Sequence, residues 1–326
     1  MMKYKNKEIT IKKIIKKLIF EFKNLIFIIF DFFFYNKFLM YLKIFLINKF
    51  SKNNLIDDSL PKISVAITYF NREKIIHKSL FNILFDNRVS EIVILNDGSK
   101  EDSIKKLILF LNKIGIKRIK LYSRKINLGM LYTKIEAVSL CENDWVILLD
   151  SDNTITRDYI STIYDYYKVW NEKIIYLPKN SFPYFIFKYN SDEEIKLDDV
   201  AKDKEILLML NACNFFFNKN EFLKIFDKLK FRDRDIIGGT DTLFLNYNWL
   251  INGNYLKIIN TYYVHRVHSR STYILEQKKE NIKHILLTER LNFALLNNKF
   301  DTFSDIFGSS YNNLNNEKPI FIDYFK

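Results

Sequence analysis

Residues 145–152 have the sequence WVILLDSD, in which five apolar residues precede the tripeptide Asp150-Ser151-Asp152. A short apolar run of this length is typical of a buried strand. Two carboxylates two residues apart at the end of a strand can place at least one oxygen on a hard divalent cation. An Asp-x-Asp alone is common in solvated turns, but the apolar run before it favours a metal. The stretch therefore predicts a core strand that ends at a binding site.

The sequence before this stretch alternates short apolar runs with helical segments. The predicted strands are ISVAITYF at 63–70, EIVILND at 91–97 and a short run at 119–123, and the predicted helices are 71–87, 101–114 and 128–141. Strands that alternate with helices indicate a parallel sheet, and such sheets bind ligands at the carboxyl ends of their strands. We therefore predict an α/β domain with its site at that edge.

Polar residues follow the predicted strands where this rule expects them. On its own, Asp97-Gly98-Ser99 is also typical of a tight turn, because Gly permits positive φ and Asp and Ser bond to local backbone. Asn127-Leu128-Gly129 on its own could be no more than a helix start. The order and spacing of these pieces along the chain carry more information than any one of them.

Taken in order, four segments of this chain resemble glycosyltransferase family 2. They are Thr68-Tyr69-Phe70-Asn71-Arg72, Asn96-Asp97-Gly98-Ser99, Asn127-Leu128-Gly129 and Leu149-Asp150-Ser151-Asp152. The resemblance covers about residues 61–270 and implies the GT-A fold, a Rossmann-like and mainly parallel sheet with flanking helices. It also implies an inverting enzyme that moves a sugar from a nucleotide-diphosphate sugar to an acceptor hydroxyl.

The resemblance assigns roles to residues of this chain. In the family the first two loops hold the nucleotide, which implies a contact between Asp97 and the base. The expected donor-binding set is Thr68, Tyr69, Asn71, Arg72, Asp97, Ser99, Asn127, Gly129, Asp150 and Ser151. Asp150 and Asp152 are expected to hold Mn²⁺ or Mg²⁺, which offsets charge on the departing diphosphate.

An inverting transfer also needs a base for the acceptor hydroxyl. The candidate is Asp241, which follows the pair Gly238-Gly239 and precedes an apolar helical run. Family members often have Glu-Asp at this place, whereas this chain has Thr240 before the Asp. The alternative is that Asp241 only caps the helix. Asp233 and Asp235 are rivals in what looks like a solvated charge cluster.

Two further positions are assigned on the acceptor and metal sides. The segment Asn211–Phe217 resembles the family's acceptor-side strand, so Asn214 is expected to face the acceptor, the alternative being a buried and hydrogen-bonded Asn. A His followed shortly by Ser is common in the family near position 268, which favours His268 over His265 as a metal ligand. Arg266 and Arg270 beside them could neutralise phosphate.

The N-terminal region has a separate character. Residues 1–50 carry eleven Lys against three acidic residues, a net +8 of the chain's +13. Apolar residues between Ile11 and Ile29 recur at helical spacing with lysines mostly on the other side, which suits an anionic membrane surface. Charges within residues 30–50 favour a segment that lies on the membrane over one that crosses it. The alternative is that these helices pack on the body of the protein or on a second copy.

These observations predict a membrane-associated segment and linker at 1–60, a GT-A domain at 61–270 and a helical extension at 271–326. The two cysteines fit a reducing compartment, and we expect a cytoplasmic protein at the inner face of the membrane. Its partners would be a nucleotide-sugar donor, a glycan or lipid-linked acceptor for surface-glycan synthesis, and anionic lipid, but no nucleic acid. The competing functions are a nucleotidyltransferase or pyrophosphorylase, whose usual Gly-rich phosphate loop is absent here, and a non-enzymatic membrane-binding protein.

Overall fold

The computed structural model describes residues 19, 22–23, 25–50, 59–183, 185–187, 189–202, 206, 210, 213–226, 241–267 and 319–324. Several candidates from the sequence therefore lie outside the described residues. These are His268, the rivals Asp233 and Asp235, Arg270, the glycine pair before Asp241, and most of the segments 1–24 and 271–326.

Within the described part of the chain, eleven strands form one mixed sheet. The strands are β1 (Ile63–Tyr69), β2 (Val89–Asp97), β3 (Ile119–Arg124), β4 (Trp145–Asp150), β5 (Thr154–Ile155), β6 (Ile174–Phe182), β7 (Phe185–Ile186), β8 (Glu194–Ile195), β9 (Phe216–Asn218), β10 (Tyr255–Val264) and β11 (Ile320–Ile322). Their order is β11-β3-β2-β1-β4-β9-β6-β10-β5, with β7 beside β6 and β8 beside β10.

The first helices after the linker connect the parallel strands, as the sequence predicts. The described helices are α1 (residues 25–34), α2 (Lys37–Phe50), α3 (Ile76–Ile83), α4 (Glu101–Ile114), α5 (Met130–Ser139), α6 (Arg157–Asp165), α7 (Leu197–Lys202), α8 (Lys219–Phe226) and α9 (Asp241–Ile251), with a 3₁₀ turn at Tyr167–Val169. Strands β3, β2, β1 and β4 pair in parallel in that order. The predicted parallel sheet is therefore confirmed.

The helix predicted at 71–87 is shorter at both ends in the structure. α3 begins only at Ile76 and ends at Ile83. Asn71 has φ +52, in the left-handed region, which a right-handed helix cannot include. Residues 71–75 therefore form a loop at the end of β1, and this loop is free to take part in the site.

The register of the parallel strands brings the polar loops together. Thr68 lies opposite Leu95 of β2 on one side and opposite Asp150 of β4 on the other. The ends of β1, β2 and β4 consequently meet at one edge of the sheet. Buried side chains pack on both faces of the sheet, with α3, α4 and α6 over one face and α5, α8 and α9 over the other.

The N-terminal helices pack against the domain with one side only. Asn36 separates α1 from α2, and its side-chain oxygen accepts a hydrogen bond of 2.8 Å from the backbone N–H of Leu39, which caps α2. Met40 is fully buried against the domain core, and the ring of Tyr35 contacts that of Phe81 at 5.4 Å. This packing is the alternative that the sequence left open.

The other side of these helices is apolar and exposed. Its exposed residues include Phe32, Phe33, Phe34, Phe38, Leu42 and Phe45. By length and composition alone, the segment Leu25–Leu46 could cross a membrane. The helix is nevertheless interrupted at 35–36, and an Asp lies buried within it.

The C-terminal part of the described chain adds a strand that the sequence analysis does not predict. β11 pairs antiparallel with β3 at the edge of the sheet. The hydroxyl of Tyr324 then donates a hydrogen bond of 2.8 Å to the backbone oxygen of Ile119. These contacts fix residues 320–324 to the edge of the sheet.

Candidate active site

The first two loops are joined by side-chain hydrogen bonds. The backbone N–H of Asn71 donates to Ser99 Oγ at 2.9 Å. In return, the backbone N–H of Lys100 donates to Asn71 Oδ1 at 2.9 Å. Two residues from the predicted donor set therefore hold each other, and the left-handed backbone of Asn71 is stabilised from outside its own loop.

Asp97 joins the second loop to the third. Its carboxylate accepts hydrogen bonds from the backbone N–H groups of Leu128 at 2.9 Å and Gly129 at 3.1 Å, and Arg124 Nε lies 3.3 Å away. Burial raises the pKa of Asp97, although the N–H donors and Arg124 act in the opposite direction. A base contact from Asp97 stays a prediction, and any such contact would share this carboxylate with the loop backbone.

Gly98 is required where these two loops meet. Its φ is +64, and a Cβ at this position would lie 2.5 Å from the backbone nitrogen of Asn127. No side chain fits between the loops at that distance. The Asp-Gly-Ser motif is therefore more than a turn signal, because it permits close contact between two donor-side loops.

The remaining donor-side candidates differ in placement. The side chain of Tyr69 is buried, and its hydroxyl contacts Ser103 Oγ of α4 at 2.8 Å, while its donor contact stays a prediction. Arg72 Nε lies 3.8 Å from Asp152 Oδ2, which links the first loop to the carboxylate pair. Ser151, which lies between Asp150 and Asp152 in the sequence, is buried, whereas Asn127 is exposed.

A lysine that the sequence analysis missed lies between the two sets of acidic residues. Lys134 Nζ is 3.0 Å from Asp150 Oδ1 and 2.6 Å from Asp241 Oδ2. Burial alone would lower the pKa of Lys134, but the charges of Asp150 and Asp241 outweigh it and hold the pKa above its usual value. The ammonium is therefore charged, and it brings the predicted metal carboxylate and the predicted base to one place.

A sequence signal for Lys134 exists. In α5 the buried positions include Leu131, Lys134, Ala137 and Val138, so the lysine interrupts an apolar face at helical spacing. A lysine is almost never fully buried without a partner. Such an interruption predicts a paired charge, although it does not predict which carboxylates pair with it.

Asn214 contacts the strand that ends at Asp150. It is buried, with φ +60, and its side-chain oxygen accepts a hydrogen bond of 2.9 Å from the backbone N–H of Asp150. Its own backbone oxygen accepts from the hydroxyl of Tyr159 at 2.7 Å. The placement matches the alternative of a buried, hydrogen-bonded Asn, and Asn214 acts on Asp150 through the backbone.

Arg266 braces the loop that follows the carboxylate pair. Its Nη1 donates to the backbone oxygen of Asp152 at 3.0 Å and to Thr154 Oγ1 at 2.7 Å. Its backbone N–H donates to Asn153 Oδ1 at 3.1 Å. Because the guanidinium is buried and engaged by these groups, the expectation that Arg266 faces phosphate is not supported by its placement.

His265 lies close enough to Asp150 and Asp152 to interact with their charges. Burial lowers the pKa of its imidazole, although the nearby charges of Asp152 and Asp150 act in the opposite direction. A neutral imidazole is the form that ligates metals. The choice between His265 and His268 stays open, because His268 lies outside the described residues.

The residues that are present fit a hard divalent cation. Across the described ranges, no three His, Cys, Asp or Glu side chains converge as a metal site. Mg²⁺ and similar ions, however, are usually held by one or two carboxylates together with substrate phosphates. Asp150 and Asp152 would supply those carboxylates. Asp150 also contacts Lys134 and receives a hydrogen bond of 3.3 Å from the side chain of Asn153.

Known proteins resemble this chain in sequence and fold. An uncharacterized glycosyltransferase of Mycoplasma genitalium is 26% identical over 213 residues, which cover 59% of this chain and 65% of that protein. The cholesterol galactosyltransferase of Borreliella burgdorferi is 25% identical over 115 residues, which cover 35% of this chain and 31% of that protein. The chain thus spans less than two thirds of the length of either relative.

A solved structure supports the fold. S. aureus TarS 1–349 in complex with UDP-GlcNAc aligns with a TM-score of 0.53 and 17% identity, covering 72% of this chain and 66% of that one. Likeness at this identity shows the fold alone, and the fold is that of the GT-A glycosyltransferases.

The family model "Glycosyl transferase family 2" matches residues 64–237, which is more than half of the chain. This chain therefore belongs to glycosyl transferase family 2.

Proposed function

We propose that this protein transfers a sugar from a nucleotide-diphosphate sugar to an acceptor hydroxyl, with inversion at the anomeric carbon. The observation that supports this most is the position of Lys134, whose ammonium contacts both Asp150 and Asp241. Asp150, predicted to hold the metal at the departing diphosphate, and Asp241, the base candidate, thus lie beside a single cation although they are distant in sequence. Inverting transfer needs these two functions close to one sugar carbon.

The donor would lie across the loops that end β1, β2 and β4. Asn71, Ser99 and Asp97 hold these loops to one another, so the crevice has a defined shape before donor binds. Such pre-organisation reduces the ordering cost of binding. The UDP-GlcNAc in the TarS complex is a nucleotide-sugar of the expected class, and we extend that class, without the particular sugar, to this protein.

Asp150 and Asp152 would hold Mn²⁺ or Mg²⁺. When bound, such an ion stabilises negative charge on the departing diphosphate. Arg72, 3.8 Å from Asp152, adds a positive charge on the donor side. Asp241 would accept the proton of the acceptor hydroxyl during attack, which is the role of a general base. Lys134 donates to Asp241 Oδ2 at 2.6 Å and so fixes the position of that carboxylate.

The acceptor would be a glycan or a lipid-linked molecule at the cytoplasmic face of the membrane. Two features support this. The exposed aromatic side of α1 and α2 suggests a binding surface, because soluble proteins rarely expose extended apolar patches that have no partner. One relative is also named for a lipid acceptor, cholesterol. A helix pair lying in the lipid interface, with its other side on the enzyme, would hold the site close to such acceptors.

Donor hydrolysis in the absence of acceptor tests the proposed function. The full-length protein would be incubated with Mn²⁺ and radiolabelled UDP-, GDP- and dTDP-sugars, and free sugar would be counted. We expect release from at least one donor by the native protein and none above background by Asp152→Ala, while Asp158→Ala, an exposed acid on α6, behaves as native. Incorporation of labelled pyrophosphate into nucleoside triphosphate, with release of sugar 1-phosphate instead of free sugar, would instead identify a nucleotidyltransferase.

A further inference from the structure

An acidic residue is buried in the otherwise apolar N-terminal helix α1. Asp31 is 7% exposed, although its neighbours Phe32 and Phe33 are more than half exposed. Its carboxylate receives hydrogen bonds from Arg266 Nε at 2.8 Å and Nη2 at 2.6 Å, and it also pairs with Lys78 of α3. A buried carboxylate with two cationic partners is an anchor for the helix rather than a solvated surface charge.

Arg266 is the residue through which Asp31 reaches the active site. While Nε and Nη2 face Asp31, Nη1 of the same guanidinium faces the backbone oxygen of Asp152 and the hydroxyl of Thr154. Asn153, between these two residues, accepts from the backbone N–H of Arg266 and donates to Asp150 Oδ2. The planar guanidinium therefore connects α1 directly to the loop of the carboxylate pair.

Lys78 gives the same anchor a second connection. Its backbone oxygen accepts a hydrogen bond of 2.7 Å from Thr154 Oγ1, so the loop also contacts α3 next to Asp31. Burial alone would raise the pKa of Asp31, but the bonds and charges of Arg266 and Lys78 outweigh it and keep the pKa below its usual value. Without Asp31, two neighbouring cations would face each other in a buried place.

We propose that Asp31 is a positioning residue for the donor site: α1 is docked through Asp31 to Arg266, and this docking holds the 150–154 loop in its binding geometry. The inference rests on the proposed function for the identity of the ligand, but the contact itself lies outside the matched family region at 64–237. It makes the membrane-facing helix part of the active-site architecture, so that attachment of the helix and donor binding depend on each other.

Three variants separate this role from general stability. Asp31→Asn removes the charge and keeps the shape. Asp31→Glu keeps the charge and serves as the rescue variant. Ile44→Ala on α2 removes buried packing from the same helix pair without touching Arg266, so it is the matched control. Should Asp31→Asn fail to fold, Arg266→Lys keeps a cation for Asp31 but loses the planar fork that reaches Asp152 and Thr154.

Two measurements on the full-length protein decide the matter. Hydrogen exchange reports on the peptide that contains residues 150–154, and calorimetry with Mn²⁺ and UDP, GDP, CDP or dTDP gives nucleotide affinity. We expect faster exchange in that peptide and nucleotide affinity about tenfold or more weaker for Asp31→Asn, in the range found for residues that orient metal ligands. Asp31→Glu should recover much of the affinity, and Ile44→Ala should lower only the melting temperature.

The proposal would be overturned if Asp31→Asn kept the native rate of hydrogen exchange in the 150–154 peptide and the native nucleotide affinity. It would also be overturned if Ile44→Ala lost as much nucleotide affinity as Asp31→Asn. Arg266→Lys should speed exchange in 150–154 while the peptide of α1 stays protected, and native exchange in both peptides would count against the link. If the native protein binds none of the nucleotides, the proposed function fails, yet the exchange data still test the contact between Asp31 and the loop.

Discussion

Lys134 Nζ lies 2.6 Å from Asp241 Oδ2, although the two residues are separated by 107 positions in the chain. The same ammonium lies 3.0 Å from Asp150. Asp150 ends a strand of the family domain, whereas Asp241 begins a helix beyond it. Lys134 is thus the residue that contacts both the predicted metal ligand and the predicted base.

Replacing Lys134 with Met should damage both stability and activity. The change leaves the buried carboxylate of Asp241 and the partly buried carboxylate of Asp150 without their shared cation. Breaking a buried ion pair costs roughly 3–5 kcal/mol. Urea unfolding should show a loss of about that size, and sugar transfer should fall to background. Lys106→Met, which removes an exposed lysine of α4, is the control and should change neither quantity measurably. A stable and active Lys134→Met would show that neither folding nor sugar transfer requires the contacts of Lys134 with Asp150 and Asp241.

Asp241→Asn should abolish base catalysis while sparing donor binding. The amide keeps the shape of the carboxylate but cannot accept the proton, and base catalysis contributes about 10²–10⁴-fold in rate. Steady-state kinetics should show kcat reduced by that factor with a donor KM near the native value. Because Lys134 loses one carboxylate partner, the melting temperature needs to be measured in parallel. Near-normal turnover would leave Asp241 as a helix cap, and the rival Asp235 would be tested next.

Metal removal should have the same effect as loss of Asp152. Two carboxylates with donor phosphates suit Mg²⁺ or Mn²⁺, so excess EDTA should stop transfer by the native protein and added Mn²⁺ should restore it. Asp152→Ala should stay inactive at every Mn²⁺ concentration and keep its circular dichroism spectrum. Full activity of this variant in EDTA would show that the acidic pair does not act through a metal.

Gly98→Ala should disturb the donor side specifically. A Cβ at Gly98 would lie 2.5 Å from the backbone of the third loop, and φ is +64. Gly253 provides a matched control, since its φ is +79 but nothing lies within 4 Å of the added Cβ. The left-handed backbone costs Ala about 1–2 kcal/mol at either site. Gly98→Ala should exceed Gly253→Ala in destabilisation and should alone weaken nucleotide binding in calorimetry.

The exposed side of α1 and α2 should bind anionic vesicles. Deleting the N-terminus would also remove Asp31 and Met40, which pack on the body, so surface substitutions are the sharper test. Phe33→Glu with Phe38→Glu should reduce co-sedimentation with phosphatidylserine vesicles several-fold and leave the melting temperature nearly unchanged. High salt should weaken native binding, because lysine contacts with head groups are screened. A native protein that ignores these vesicles would leave the aromatic side to a protein partner.

The amino-acid sequence by itself determined the parallel half of the sheet and the edge that carries the site. Those features depend on local patterns, namely short apolar runs, helical spacing and polar groups directly after strands. The stretch WVILLDSD, for example, forms β4 from Trp145 to Asp150 with its carboxylates at the end. The helix predicted from residue 71 begins only at Ile76, because Asn71 has a left-handed backbone that is stabilised by the distant Ser99.

Only the tertiary structure decided which charges meet. Lys134 reaches Asp241 across 107 positions, and Arg266 reaches Asp31 across 235. Buried charges select their partners by position in three dimensions, because an unpaired charge is costly in a low-dielectric interior whatever its place in the chain. A buried amide also needs a partner, and Asn214 finds one in the backbone N–H of Asp150, while its acceptor contact stays a prediction. Local pattern specifies the strands and their ends, and long-range packing specifies how the groups at those ends are held.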